Sequence, residues 1–197
     1  MSGAVAGADG KLRCPWALSA PDYLPYHDDE WGRPIRARGA VADRFMYERM
    51  TLEAFQSGLS WLIILRKRPA FREAFANFDI ATVASYDDSD VTRLLNDAGI
   101  VRNRAKIDAA IANARAALEL PAGLTKHLRS FAPTAPKPAP KVLGDLPAQI
   151  PESIALAKDL RKRGFRFVGP TTLYALMQAT GMVNDHLVDC WAREKSV

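Results

Sequence analysis

The chain has 197 residues, 48% of them hydrophobic and 25% charged, a composition that suits a globular core and excludes disorder of the whole chain. No apolar run approaches the roughly 20 residues needed to cross a bilayer, and the first residues lack the basic start and apolar stretch of a signal peptide, so a cytoplasmic protein is expected. A net charge of +5 from 27 basic and 22 acidic side chains permits a nucleic-acid partner without requiring one, and two cysteines do not make a disulfide framework.

Residues 1–12 are rich in Gly and Ala, carry no hydrophobic periodicity and read as a flexible tail, with the fold starting near Cys14. From Val41 to about Gln56, Phe45, Met46, Met50 and Ala54 recur at three and four positions, as in an amphipathic helix that Gly58 ends. Ser60 to Leu65 has strand composition, but a lone strand would have no partner, so the segment reads as a short helix or turn reaching Arg68. Pro69 then suits the first turn of a separate helix through Phe71, Phe75 and Phe78, and Ser89 or Asp90 starts another through Leu94 and Leu95.

Arg102 to Leu118 is the clearest long helix, with Ile107, Ala110, Ile111, Ala114 and Leu118 on one face. A short helix over 122–129 precedes Pro133, Pro136, Pro138 and Pro140, which exclude continuous helix and make 132–151 a linker or excursion able to divide the body into two lobes. Helical patterns return over 153–163 and 170–180, with Gly164 and Gly181 as stops. The expectation is an all-α protein of about eight to ten helices, residues 13–197 forming one domain.

Cys14, His27, His186 and Cys190 use both cysteines and two of the three histidines. They could form a closed Cys2His2 zinc site joining the two ends of the chain, structural because no coordination position remains for water. His186 and Cys190 share a face if their segment is helical, whereas Pro15, Pro21 and Pro25 place the first pair on an irregular loop. Two buried thiols and two surface histidines fit the same spacing.

The sequence from Leu95 to Ile107 reads as helix, Gly99 turn and helix, whose free backbone N–H groups could bind phosphate beside Arg102, Arg104 and Lys106. An ordinary helix junction with a solvated charged face accounts equally for it, as it does for the basic stretch from Lys158 to Arg166. Trp16, Tyr23, Tyr26, Glu30, Trp31, Glu53 and Trp61 form an aromatic and acidic concentration. Glu53 lies between Leu52 and Ala54 and could be buried beside those rings, which would suit a flat, nitrogen-rich, positively charged ligand such as an alkylated purine. The competing reading places the tryptophans in the core and Glu53 on the surface.

Several blocks together resemble the 3-methyladenine DNA glycosylase I family of constitutive bacterial alkylation-repair enzymes. They are Cys14 to Trp16, Tyr26 to Gly32, Leu52 to Trp61, Ala98 to Ile107, Lys162 to Thr172 and Gly181 to Cys190, in family order and across nearly all of 14–190. The resemblance implies a helix-hairpin-helix glycosylase with one structural Zn²⁺ held by Cys14, His27, His186 and Cys190. It implies that Glu53 contacts the modified base, that Tyr26, Trp61, Trp16 and Trp31 form the base pocket, and that Gly99, Arg102, Arg104 and Lys106 meet the DNA backbone. The activity it implies is hydrolysis of the N-glycosidic bond of 3-methyladenine in double-stranded alkylated DNA by base flipping, leaving an abasic site without strand cleavage. A monomer, in the bacterial cytoplasm and associated with the nucleoid through DNA, is expected, with no membrane partner.

Overall fold

The computed structural model describes residues 3–135 and 137–196; Met1, Ser2, Val197 and, from the proline-rich stretch, Pro136 lie outside it. Among the described residues the fold is all-α apart from one small hairpin. In chain order the helices are α1 (Tyr23–Asp29), α2 (Gly39–Gln56), α3 (Trp61–Ala74), α4 (Ile80–Ala84), α5 (Asp88–Asn96), α6 (Arg104–Leu118), α7 (Leu124–Arg129), α8 (Pro151–Lys162) and α9 (Pro170–Ala179). The hairpin pairs β1 (Val5–Ala6) antiparallel with β2 (Leu12–Arg13), in register Val5 opposite Arg13. Part of the Gly- and Ala-rich opening segment is therefore paired backbone, anchored by Arg13, whose guanidinium binds Asp9 and Asp28.

Helix α2 is the central element, packed against α3, α6, α7 and α9. Its buried side chains include Met46, Tyr47, Met50, Leu52, Glu53 and Phe55, so it is covered on most sides. The buried phenol of Tyr47 donates to the Ala110 carbonyl of α6 at 2.8 Å, which removes the penalty of an unpaired hydroxyl. Phe55, Phe71, Phe75 and Phe78 form an aromatic ladder, with centroids 4.8 Å apart for Phe55 and Phe71 and 5.8 Å apart for Phe75 and Phe78. Truncating any one of these rings to Ala would cost about 3–5 kcal/mol.

Two helix assignments differ from the sequence expectation. Pro69 lies inside α3 and does not begin a new helix. The helix tolerates the lost backbone bond because Ile64, Arg68 and Phe71 on either side of it are all buried. Phe78 does not continue α3: Ala76, Asn77 and Phe78 take left-handed φ values of 49°, 53° and 58°, and the resulting turn brings Phe78 back onto Phe75. The capping residue of α5 is Asp87, whose carboxylate accepts from the backbone of Ser89 and Asp90, so the helix starts at Asp88. Gly181 ends α9 with φ +65° and lies so close to the chain at 32–34 that a Cβ there would sit 2.6 Å from the Gly32 carbonyl oxygen.

Candidate active site and metal centre

Cys14, His27, His186 and Cys190 are all buried and their ligand atoms lie within 4.8 Å of one another. Cys190 Sγ is 3.4 Å from His27 Nε2 and 3.5 Å from His186 Nδ1, and Cys14 Sγ is 3.8 Å from the same His186 nitrogen. Such separations are those between donors around a tetrahedral ion with bonds of about 2.0–2.3 Å, and two thiolates with two imidazoles are a donor set suited to Zn²⁺. The local supports differ from the sequence expectation. His27 stands on α1, which forms despite Pro25 because that proline occupies the first turn, where its missing N–H is no loss. His186 and Cys190 sit on a turn after α9, not on a helix, with Cys190 N–H bonded to the Leu187 carbonyl at 2.9 Å.

Outer contacts fix which nitrogen each imidazole offers. His27 Nδ1 is 2.8 Å from Asp28 Oδ1, and His186 Nε2 is 3.2 Å from the Trp31 carbonyl, so Nε2 of the first and Nδ1 of the second face the cluster. Asp28 is held in turn by Arg13, which is 2% exposed. Hydrogen bonding from Cys14, aided by His186 and His27, drives the Cys190 thiol toward its thiolate, while the same pairing and burial push Cys14 the other way. A bound dication would hold both as thiolates.

The cluster adjoins an aromatic chamber of about 340 Å³ lined by Trp16, Ser19, Tyr23, Tyr26, Trp31, Glu53, Gln56, Trp61, Ala175 and Gln178. All five predicted base-pocket residues, Tyr26, Trp61, Trp16, Trp31 and Glu53, thus meet in one wall. Ser19, Gln56, Ala175 and Gln178 are additional, and no spacing rule distinguishes them from ordinary helix and turn residues. The Trp16 ring lies 5.1 Å from Trp31 and 5.1 Å from His27, and Trp31 lies 4.6 Å from His186. The ligand imidazoles therefore buttress two rings of the chamber directly.

Glu53 is 6% exposed, and among the described residues no group hydrogen-bonds its carboxyl. Burial pushes its pKa up to about 8, with Arg49 opposing the rise. The surrounding charges are paired elsewhere: Arg68 spans Glu48 and Glu30, both at 2.6 Å, and Arg49 binds Glu30 at 2.7 Å. This ionic lattice ties α1, α2 and α3 behind the chamber. Burial also raises the Tyr26 phenol, and the nearby Glu53 adds to it.

The predicted hairpin is present as α5, the turn from Asp97 to Asn103, and α6 capped by the Asn103 side chain. Gly99 is packed against α3, where a Cβ would come within 2.9 Å of the Ala70 Cβ, and Lys67 donates to the Ala98 and Gly99 carbonyls at 2.8 and 3.1 Å. Arg102 and Arg104 are exposed at the start of α6, Arg104 being bonded to Asp108 at 3.0 Å. Lys106 corrects the sequence expectation. It is 8% exposed and donates to the carbonyls of Phe55 at 2.8 Å and Ser57 at 2.5 Å, so its ammonium is committed inside the protein and is not offered to a phosphate.

The chain matches a family model described as methyladenine glycosylase over residues 16–194. It is 42% identical over 182 residues to DNA-3-methyladenine glycosylase 1 of Escherichia coli (strain K12), covering 90% of this chain and 95% of that protein. It is 39% identical over 184 residues to DNA-3-methyladenine glycosylase of Haemophilus influenzae, covering 90% of this chain and 96% of that one. Among solved structures, 3-methyladenine DNA glycosylase I from Staphylococcus aureus, studied for its 3-methyladenine recognition, superposes with a TM-score of 0.84 at 32% identity, covering 92% of this chain and 96% of that chain.

Proposed function

The chain belongs to the methyladenine glycosylase family, and we propose that its aromatic chamber holds the flipped base with Glu53 as the group that contacts it. The protein is a DNA repair glycosylase that hydrolyses the N-glycosidic bond of 3-methyladenine in alkylated DNA and leaves an abasic site. The observation that carries the assignment of the site is a buried carboxyl with no hydrogen-bond partner among the described residues, in a chamber lined by five aromatic residues.

Within duplex DNA the modified base is stacked and out of reach, so it must rotate out at a cost of about a few kcal/mol before a pocket can read it. Methylation at N3 makes the purine cationic. Trp16, Tyr26, Trp31 and Trp61 offer ring faces that attract such a cation, and Glu53 accepts from its N–H edge. The empty chamber favours the neutral acid of Glu53, whereas an incoming cation favours the carboxylate, so capture converts desolvation of Glu53 into selectivity for charged bases. When the bond between C1′ and the base nitrogen breaks, its electron pair neutralises the purine. Water then bonds to C1′ and releases its proton to solvent. Glu53 opposes the positive charge that grows on the sugar, and no lysine is assigned to a covalent step.

For the DNA surface we assign the hairpin turn at Gly99, the free N–H groups at the start of α6, and the side chains of Arg102 and Arg104. The zinc site is structural: it ties the N-terminal segment and α1 to the turn after α9 and braces Trp16 and Trp31. Residues 13–197 are taken as one glycosylase domain, acting as a monomer in the cytoplasm. Single-turnover release of free bases from methylated duplex DNA tests the assignment of the site. Wild type should release 3-methyladenine, and folded, zinc-containing Glu53→Gln should lose most of that rate; wild-type excision by the variant would refute the role given to Glu53.

A further inference from the structure

Gln178 reaches the chamber wall from α9, and its amide orientation is fixed from behind. Its Nε2 donates to Asp185 Oδ2 at 2.9 Å, and the hydroxyl of buried Tyr174 donates to the same carboxylate oxygen. A carboxylate only accepts hydrogen bonds, so the NH2 end of the amide must face Asp185 and the carbonyl oxygen is its free end. Among the described residues that oxygen has no hydrogen-bond partner.

We propose that Gln178 is a specificity-determining residue that accepts a hydrogen bond from the captured base through its side-chain carbonyl, with Asp185 and Tyr174 as positioning residues that prevent the amide from flipping. The 6-amino group of 3-methyladenine carries two N–H donors. Glu53 on α2 and Gln178 on α9, helices that pack on each other, supply two acceptors. A purine with a 6-oxo group would set oxygen against oxygen, and because Asp185 blocks the flip, Gln178 could not offer its NH2 end instead. Rejection then arises from an unpaired acceptor in a partly desolvated site, a stronger discriminator than the size of an apolar pocket.

The proposal rests on the reading of the chamber as the base site, and the experiment separates the two. Methylated duplex DNA is treated with wild type, Gln178→Met, Tyr174→Phe and Glu53→Gln, each checked for zinc content and melting temperature. The single-turnover rates of release of 3-methyladenine and of its 6-oxo counterpart 3-methylguanine are compared. In Gln178→Met the ratio of the two rates should fall by at least about fivefold, the value of one neutral hydrogen bond. Tyr174→Phe, which frees Asp185 and hence the amide, should move the ratio in the same direction by less. An unchanged ratio in Gln178→Met, whether both rates are kept or both fall together, overturns the proposal. If Gln178→Met does not fold, an unchanged ratio in Tyr174→Phe overturns it. Wild-type excision by Glu53→Gln would overturn the chamber reading itself; loss there with an unchanged ratio in Gln178→Met removes only the role of Gln178.

Discussion

Lys106 Nζ lies 2.8 Å from the carbonyl oxygen of Phe55, so α6, the second helix of the hairpin, holds the end of the helix that carries Glu53. The ammonium also takes the Ser57 carbonyl, and these are oxygens that α2 cannot pair internally at its C-terminus. A cation there also favours the negative end of the helix dipole.

Lys106→Met keeps the aliphatic stem and removes the donor. It should destabilise the protein by about 1.5–3 kcal/mol, the range for hydrogen bonds from a charged group, and should lower 3-methyladenine excision more than it lowers DNA affinity. The dependence of binding on salt should stay as in wild type, whereas Arg102→Ala should reduce that slope by about one unit. Fluorescence anisotropy titrations at several salt concentrations make the comparison, and a lost unit of slope in Lys106→Met would place its ammonium on a phosphate after all.

The difference between Lys106 and Arg102 also marks what the sequence could and could not convey. Helical periodicity located α6, α8 and α9, which bury residues repeating at three and four positions, and α2 through the spacing of Met46, Met50 and Ala54, although that helix is buried on most sides. Cys14, His27, His186 and Cys190 were legible because metal-ligating residue types are scarce in this chain. Which basic residue turns inward was not legible: Arg102 and Lys106 are four residues apart on one stretch of chain, and only the packing of α6 against the end of α2 buries one and exposes the other. The left-handed turn at Ala76 to Phe78 was hidden for a similar reason, since its backbone strain is sustained by the burial of Phe78 against Phe75.

Stability should depend on pH through Glu53. Its folded pKa of about 8 lies above the ordinary 4.5, so between those values the folded state holds a proton that the unfolded chain releases. Its contribution to stability is therefore fully present below about pH 4.5 and is lost as pH rises toward 8. Wild type should lose roughly 3–5 kcal/mol relative to Glu53→Gln between pH 5 and 9. Urea denaturation of both proteins across that range measures the difference, and parallel pH curves would show that Glu53 is ionised in the empty chamber.

Asp28 should control metal retention without touching the metal. Its carboxylate fixes the His27 ring through Nδ1 and is itself clamped by Arg13. Asp28→Asn should weaken zinc binding by about 10–100-fold, as loss of an outer-shell partner does, while the wild-type protein should contain one Zn²⁺ per chain. Competition with a chromogenic chelator gives both quantities. Because His27 and His186 brace Trp16 and Trp31, removal of zinc should also change the tryptophan fluorescence of the chamber. Equal zinc affinity in Asp28→Asn would mean that the ring of His27 is held by packing alone.

Gly181 joins the end of α9 to the chain that follows Trp31, and its replacement tests how tightly chamber and metal centre share a frame. At φ +65° an L side chain is strained, and a Cβ would meet the Gly32 carbonyl oxygen at 2.6 Å, the Pro34 nitrogen at 2.8 Å and the Arg33 carbonyl carbon at 3.0 Å. These are backbone atoms that no rotamer change can move aside. Relief requires the 32–34 chain to withdraw from α9, which carries Trp31 with it and loosens the hydrogen bond from His186 to the Trp31 carbonyl. Gly181→Ala should therefore cost about 3 kcal/mol or more, a fall in Tm of about 6–12 °C for a chain of this size, together with weaker zinc retention. Gly144→Ala is the matching control, because a Cβ at that position meets nothing within 4 Å. A Gly181→Ala protein that melts and retains zinc like the control would show that the two segments are not rigidly joined.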